Sequence, residues 1–392
     1  MKAPYIEVCR DCSGSSSAFS LAASHRPTAV LIDLDALAYN YQEVLRCAEG
    51  RKILAVVKSE AYGHGAIEVS RRLLGLGVNM LGVALVEEGR ALREGGITAP
   101  ILVMGALFPE QADAVVAAGL TPVVFTDSVA RSISNAAKKC GTTVSVHVKV
   151  DTGMGRIGIS PDDAPDFIAA LKKLDNVKVE GLMTHLADVD LRDKQFASQQ
   201  VNRFEALIKT LTAMGMDILV RHAANSAALL DYRHALLTMV RAGLMLYGYN
   251  PLEEHASGMD LRFVLSLVTR IAFLKKVVAG TPISYGRTFV TRRESVIATL
   301  PIGYADGYSR SLSNKGEAIV RGIRVPIVGR VCMDMCMLDV TNVPDVHEGD
   351  DVVLIGSQGN ERITADDIAA KTGTIAYEVL CGISDRVPRI YK

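Results

Sequence analysis

The chain has 392 residues, 49% of them hydrophobic and 22% charged, and 43 basic residues balance 43 acidic ones. Such a length suggests about two domains at roughly 150 residues each, and the composition excludes a disordered, collagen-like or low-complexity chain. A formal charge of +0 leaves no global basic field to gather nucleic acid or an anionic membrane.

Residues 1–26 are Ser-rich, carry Glu7 and Asp11 and lack a continuous apolar run, which argues against a signal peptide and reads as an extension before the fold. Leu34–Ala48 follows with a helical pattern. From Lys52 to Tyr247 short apolar runs alternate with amphipathic stretches of helical length. The expected strands are Ile53–Lys58, Met80–Ala84, Ile101–Met104, Pro122–Phe125, Val144–Val150, Val177–Thr184, Ile218–Val220 and Thr238–Val240, eight in all. Between them lie expected helices at Ala66–Leu76, Pro109–Ala118, Ser128–Lys139, Pro161–Leu174 and Asp193–Met214. Repeated strand–helix pairs bury both strand faces, so the pattern points to a TIM-like α/β barrel over residues 27–254, with an open doubly wound sheet as the alternative.

Beyond Asn250 the rhythm changes. Leu267–Phe273, Ser295–Leu300, Glu317–Val320, Val325–Val328 and Asp351–Ile355 read as short strands, and Ala365–Lys371 as a helix with Thr364 as its N-cap. A mostly β C-terminal domain over 255–392 is expected. The longest uncharged stretch, Gly95–Pro109, has 15 residues with three Gly and two Pro, too short to span a membrane, which takes about 20 apolar residues. Seven Cys form a sparse, odd set that fits reduced thiols in the cytoplasm. Cys9–Cys12 and Cys332–Cys336 lack the further His or Cys ligands of a metal site, so no metal is expected.

Function in a barrel lies at the C-terminal ends of the strands. The first strand ends in Lys58, followed by Ala61-Tyr62-Gly63-His64-Gly65. A lysine desolvated in a barrel mouth becomes a nucleophile toward a carbonyl, although position alone favours a strand-end lysine reaching solvent. The surrounding string changes that reading. It resembles the cofactor-binding signature of alanine racemases, barrel enzymes that use pyridoxal 5'-phosphate (PLP). The resemblance continues in order through Lys149-Val150-Asp151-Thr152-Gly153-Met154-Gly155-Arg156, Thr184-His185, His222-Ala223-Ala224-Asn225-Ser226 and Arg241-Ala242-Gly243-Leu244. It ends with Ser284-Tyr285-Gly286, Gly303-Tyr304, Cys332-Met333-Asp334 and Tyr377-Glu378. The polar Ser59-Glu60 pair departs from the family, which more often has Ala-Asp there.

The resemblance implies specific roles. Lys58 and Tyr285 are the acid–base pair that moves the Cα proton on opposite faces of the substrate. Tyr62, Asn225, Ser226, Gly243, Leu244 and Tyr377 line the cofactor's phosphate end. Arg241 faces the pyridine nitrogen, where a permanent cation donates a hydrogen bond in place of the acid that would keep the nitrogen protonated. That choice favours racemisation over transamination. His185 links Arg241 to the catalytic tyrosine. Arg156 takes the substrate carboxylate and the cofactor's phenolic oxygen, with the Met333 N–H as a second carboxylate donor, and Lys149 is a candidate for carbamylation. Read singly, Ser226 can also be an N-cap, Gly243 a tight turn, Tyr285 a buried tyrosine and Lys149 a core lysine paired with a carboxylate.

The activity implied is interconversion of L- and D-alanine, supplying D-alanine for peptidoglycan. The alternatives are a broad-specificity or serine racemase on the same scaffold and, further off, a non-catalytic PLP carrier. The partners implied are a small amino acid and a second copy of the chain, in a homodimer with shared active sites.

Overall fold

The computed structural model describes residues 26–252 and 259–392. The expected extension, apart from Arg26, and the Cys9–Cys12 pair lie outside them. Contacts divide the chain into two units: Leu34–Val264, and the residues up to Asp33 together with Leu265–Lys392.

The first strand, β1 (Ala29–Ile32), therefore does not belong with the barrel, which the sequence pattern started at residue 27. It pairs antiparallel with Leu265–Arg270 and parallel with Arg389–Tyr391. Four buried apolar residues in a row carry no sign of which sheet they will join, and only the pairing decides it.

The unit Leu34–Val264 opens with α1 (Leu34–Ala48). It then alternates strands β2 (Lys52–Val56), β3 (Met80–Val83), β4 (Ile101–Val103), β5 (Thr121–Val124), β6 (Val144–Lys149), β7 (Val177–Met183), β8 (Val220–His222) and β9 (Met239–Ala242) with helices. These are α2 (Lys58–Gly63), α3 (Ala66–Gly75), α4 (Val86–Glu94), α5 (Ala112–Ala117), α6 (Asp127–Lys139), α7 (Ala164–Leu171), α8 (Gln195–Ala213) and α9 (Ser226–Asp231). The eight strands form one parallel sheet in the order β8-β7-β6-β5-β4-β3-β2-β9. Its two end strands meet through Thr238 N–H to the Arg221 carbonyl and Arg241 N–H to the Ala224 carbonyl, both 3.1 Å. The barrel is thereby nearly closed.

All five expected helices are present, and α2, α4 and α9 add to them. The last two barrel strands lie one or two residues later than the apolar runs suggested, because polar His222 and Arg241 are strand residues facing the buried interior. The first strand ends at Val56, short of Lys58, for a reason given below.

The second unit is mostly β. Its main sheet joins β10 (Leu265–Arg270), β15 (Glu317–Val320), β16 (Ile323–Pro326), β18 (Asp351–Gln358), β19 (Glu361–Ile363) and β20 (Arg389–Tyr391) to β1. A three-stranded sheet is built from β11 (Phe273–Val277), β14 (Ser295–Leu300) and β17 (Cys336–Asp339), and β12 (Pro282–Ile283) pairs with β13 (Phe289–Val290). Two helices, α10 (Ala365–Thr372) and α11 (Ala376–Cys381), complete it. Thr364 caps α10 as expected: its Oγ1 accepts from Asp367 N–H at 3.1 Å, while the Asp367 carboxylate accepts from Thr364 N–H at 2.8 Å. Among the described residues no helix is long and apolar enough to cross a membrane.

Candidate active site

Lys58 stands where β2 gives way to an unusual turn. Ser59, Glu60, Ala61 and Tyr62 all have φ between +52° and +54°, so α2 is a left-handed turn of non-glycine residues, at roughly 1–2 kcal/mol each. Neighbours hold it in place. The Glu88 carboxylate accepts Ser59 N–H at 2.6 Å, Ala84 N–H at 2.7 Å and Leu85 N–H at 3.0 Å, tying the turn to the start of α4. The Glu60 carboxylate accepts Ala66 N–H at 3.1 Å, and His64 Nδ1 donates to the Ala61 and Tyr62 carbonyls, both 2.9 Å away. The turn is why the strand stops before Lys58, and it also carries Tyr62 inward.

Tyr62, Ser226 and Gly243 converge. A side chain at Gly243 would stand 3.0 Å from Tyr62 Oη and 3.7 Å from Ser226 Oγ, so only glycine leaves this space open. Gly243 N–H donates to Ser226 Oγ at 2.8 Å, which frees the Ser226 proton to donate elsewhere. Leu244 begins the short helical turn after Gly243. The cap of α9 is Asn225, not Ser226: Asn225 Oδ1 accepts Ala228 N–H at 3.0 Å. Two hydroxyls beside a glycine that leaves the space between them open form a cradle able to receive an anion.

Arg241 lies on β9, 3% exposed. It donates to His222 Nδ1 at 3.2 Å, His185 Nδ1 at 3.1 Å, the Thr184 carbonyl at 3.1 Å and the Ala223 carbonyl at 2.9 Å. Burial alone pulls its guanidinium down to about 10. His185 is held well below the usual imidazole range, first by burial and then by the charges of Arg241, Lys149, Arg156 and Lys58. Lys149, 3% exposed, sits well below the ordinary lysine range through burial and the charges of Arg241 and Arg156. No carboxylate forms an ion pair with it among the described residues, so the core-pair reading does not hold. Arg156 lies on the exposed loop after β6.

In the second unit three motif loops are stitched together. Tyr304 N–H donates to the Cys332 carbonyl and Ala305 N–H to the Met333 carbonyl, both at 3.0 Å, and Ser284 Oγ donates to the Arg330 carbonyl at 2.7 Å. The contact is close: a Cβ at Gly303 would lie 2.3 Å from the Cys332 carbonyl oxygen. Ser284 at φ +65° and Arg287 at φ +49° turn the backbone sharply around Tyr285. Tyr285 is 72% exposed and Met333 53% exposed, so Tyr285 is not a buried tyrosine. Tyr377 is half-buried on α11.

Residue-by-residue reading of the sequence assigned nothing to Glu88, His147 or His222. The signal for the last two was weak, because each shares its short strand with other polar residues: Ser145 and Lys149 on β6, Arg221 on β8.

A nearly closed parallel barrel with a lysine, an anion cradle and a buried arginine at its strand ends defines a (β/α)8-barrel enzyme. Residues 32–251 match the family model "Alanine racemase, N-terminal domain" and residues 264–391 "Alanine racemase, C-terminal domain". The chain belongs to the alanine racemase family, and it is an isomerase. A relative named alanine racemase in Halothermothrix orenii is 49% identical, covering 94% of this chain and 97% of its own. The alanine racemase of Bacillus anthracis, solved with bound L-Ala-P, superposes with a TM-score of 0.89 at 38% identity, covering 95% and 96% of the two chains. That of Bartonella henselae, with covalently bound pyridoxal phosphate, does so at 0.83 and 27%, covering 94% and 100%. The open cradle at Gly243, with Tyr62 Oη and Ser226 Oγ beside it, fits the phosphate end of such a group.

Proposed function

We propose that this enzyme racemises alanine with PLP carried on Lys58, and that it supplies D-alanine for peptidoglycan in the cytoplasm. The observation that carries the reading is the buried Arg241, held by imidazole and carbonyl acceptors and paired with no carboxylate among the described residues. When bound, PLP supplies an electron-withdrawing ring that makes the substrate Cα–H acidic. Tyr62, Ser226 and Tyr377 give hydroxyls to its phosphate, with the Gly243 and Leu244 backbone and Asn225 shaping the cradle. Arg241 donates to the ring nitrogen and, being a permanent cation, does not pass a proton to it. Withholding that proton favours return of the Cα proton over transamination.

Lys58 Nζ holds or moves the Cα proton on one face, and Tyr285 Oη does so on the other. His185 accepts from Arg241 through Nδ1 and so carries its proton on Nε2, from which it orients the tyrosine hydroxyl. Arg156 and the Met333 N–H take the substrate carboxylate. A neutral Lys149 amine is the form that adds CO2, releasing a proton and leaving a carbamate anion to steady Arg156. We place the two bases on different chains of a homodimer, Lys58 working with the partner's Tyr285.

The test is incubation with L-alanine in D2O. D-alanine should form with deuterium at Cα, faster than the D-product of L-serine or any other L-amino acid in a panel. Protein with no exchange would be a carrier, and a faster serine reaction would make it a serine racemase. Borohydride should fix the yellow cofactor on Lys58; a label on Lys149, or on no lysine, would overturn the assignment.

A further inference from the structure

Strand alternation puts His147 and Lys149 on the same inner face of β6, and β7 sets Gly181 opposite His147 at a register shift in the sheet. A Cβ at Gly181 would stand 2.5 Å from His147 Nδ1. The imidazole thus fills space that any other residue there would take, and it reaches across β7 to β8. His147 Nδ1 lies 2.8 Å from His222 Nε2, and His222 Nδ1 lies 3.2 Å from Arg241 Nη1. All three side chains are buried.

The protons in this chain can be assigned. A guanidinium only donates, so His222 Nδ1 accepts. A neutral imidazole carries its proton on the other nitrogen, so His222 Nε2–H donates to His147 Nδ1, and His147 carries its own proton on Nε2. Glu180 Oε2 lies 3.9 Å from that nitrogen, beyond a hydrogen bond but on the side where its charge favours an N–H. The reverse ordering would set N–H against N–H at Arg241. Burial keeps both rings neutral, drawing His147 down to about 4 and His222 well below its usual range.

We propose that His147 is a positioning residue for Arg241: as the acceptor for His222 Nε2–H, it fixes the one tautomer in which His222 can receive the Arg241 hydrogen bond. Arg241 has only neutral acceptors around it. A misplaced proton on His222 would therefore remove one of four contacts and press on the cation. What this does for catalysis rests on the role proposed above for Arg241; the tautomers do not.

Long-range proton–nitrogen NMR of the full-length, histidine-labelled protein tests it, as purified and after the cofactor is dialysed away, with His147→Asn assigning the signals. Both rings should be neutral Nε2–H tautomers even at pH ~6, where an imidazole of ordinary pKa near 6.5 would be mostly protonated. An Nδ1–H on either ring overturns the proposal, whether or not any variant folds and whether or not alanine is the substrate. His147→Leu should shift His222 toward Nδ1–H and lower kcat about tenfold, the scale of one buried hydrogen bond. The KM for L-alanine should hold, and the visible band of the bound cofactor should move. His147→Asn, whose amide oxygen can accept from His222, should restore most of kcat. An unchanged His222 tautomer in the leucine variant, or an asparagine variant no better than leucine, would contradict the role.

Discussion

The barrel and the β unit hold their chemistry in opposite ways. In the barrel, Arg241, His222 and His147 are buried and bonded to one another, and Tyr62, Ser226 and Gly243 close on a shared cradle. In the β unit, Tyr285 and Met333 are exposed and owe their placement to backbone turns and carbonyl contacts at the loop bases. The first region is preorganised by side-chain partners. The second presents its phenol and thioether to whatever meets them, which is what a surface that completes another chain's site requires.

Substitutions should separate the two regions sharply. Lys58→Ala should cost about 10⁴-fold in racemisation, and Tyr285→Phe about 10³-fold, within the range for a positioned acid–base group. Because its side chain is exposed, Tyr285→Phe should leave the melting temperature unchanged; a large drop would place that hydroxyl in a structural network instead. Arg241→Glu should slow racemisation about 10²-fold, the loss expected for one preorganised donor, while raising the share of transamination measured as pyruvate. An unchanged rate and product ratio would show that Arg241 does not face the ring.

Smaller effects should report on the scaffold alone. Glu88→Ala strips three backbone N–H groups of their acceptor at the left-handed turn. Unfolding followed by circular dichroism should show a melting temperature lower by about 5 °C, from roughly 2 kcal/mol of unsatisfied donors, with weaker cofactor retention. In the β unit, Thr364→Ala should remove about 1 kcal/mol of helix capping and leave racemisation unchanged. Were the capping variant to weaken cofactor retention as Glu88→Ala should, the contrast between a site-bearing turn and a remote cap would fail.

Much of this organisation could be read from the amino acids. The barrel strands are short, apolar and β-branched, and the ends of α1 and the Thr364 cap followed from local pattern. The left-handed turn was hidden because Ser59, Glu60, Ala61 and Tyr62 have no preference for positive φ; Glu88 and His64 impose it from outside the segment. The sheet to which Ala29–Ile32 belongs was equally hidden, since its partners are more than 200 residues away. At the site, Lys58, Arg241 and Tyr285 stood out through ordered motifs. His147 and Gly181 did not, because their fit depends on two strands meeting in one register.

The central claim is that the barrel's Lys58 and the β unit's Tyr285 serve one site from different chains, and subunit exchange tests it most directly. Lys58→Ala and Tyr285→Phe proteins, each nearly inactive, are mixed and allowed to exchange, with mixed dimers confirmed by native mass spectrometry. Random exchange makes about half the dimers mixed, and each holds one site with both bases and one with neither, so about a quarter of all sites should recover. If both bases came from one chain, every site would still lack one of them, and confirmed mixed dimers would show no recovery at all.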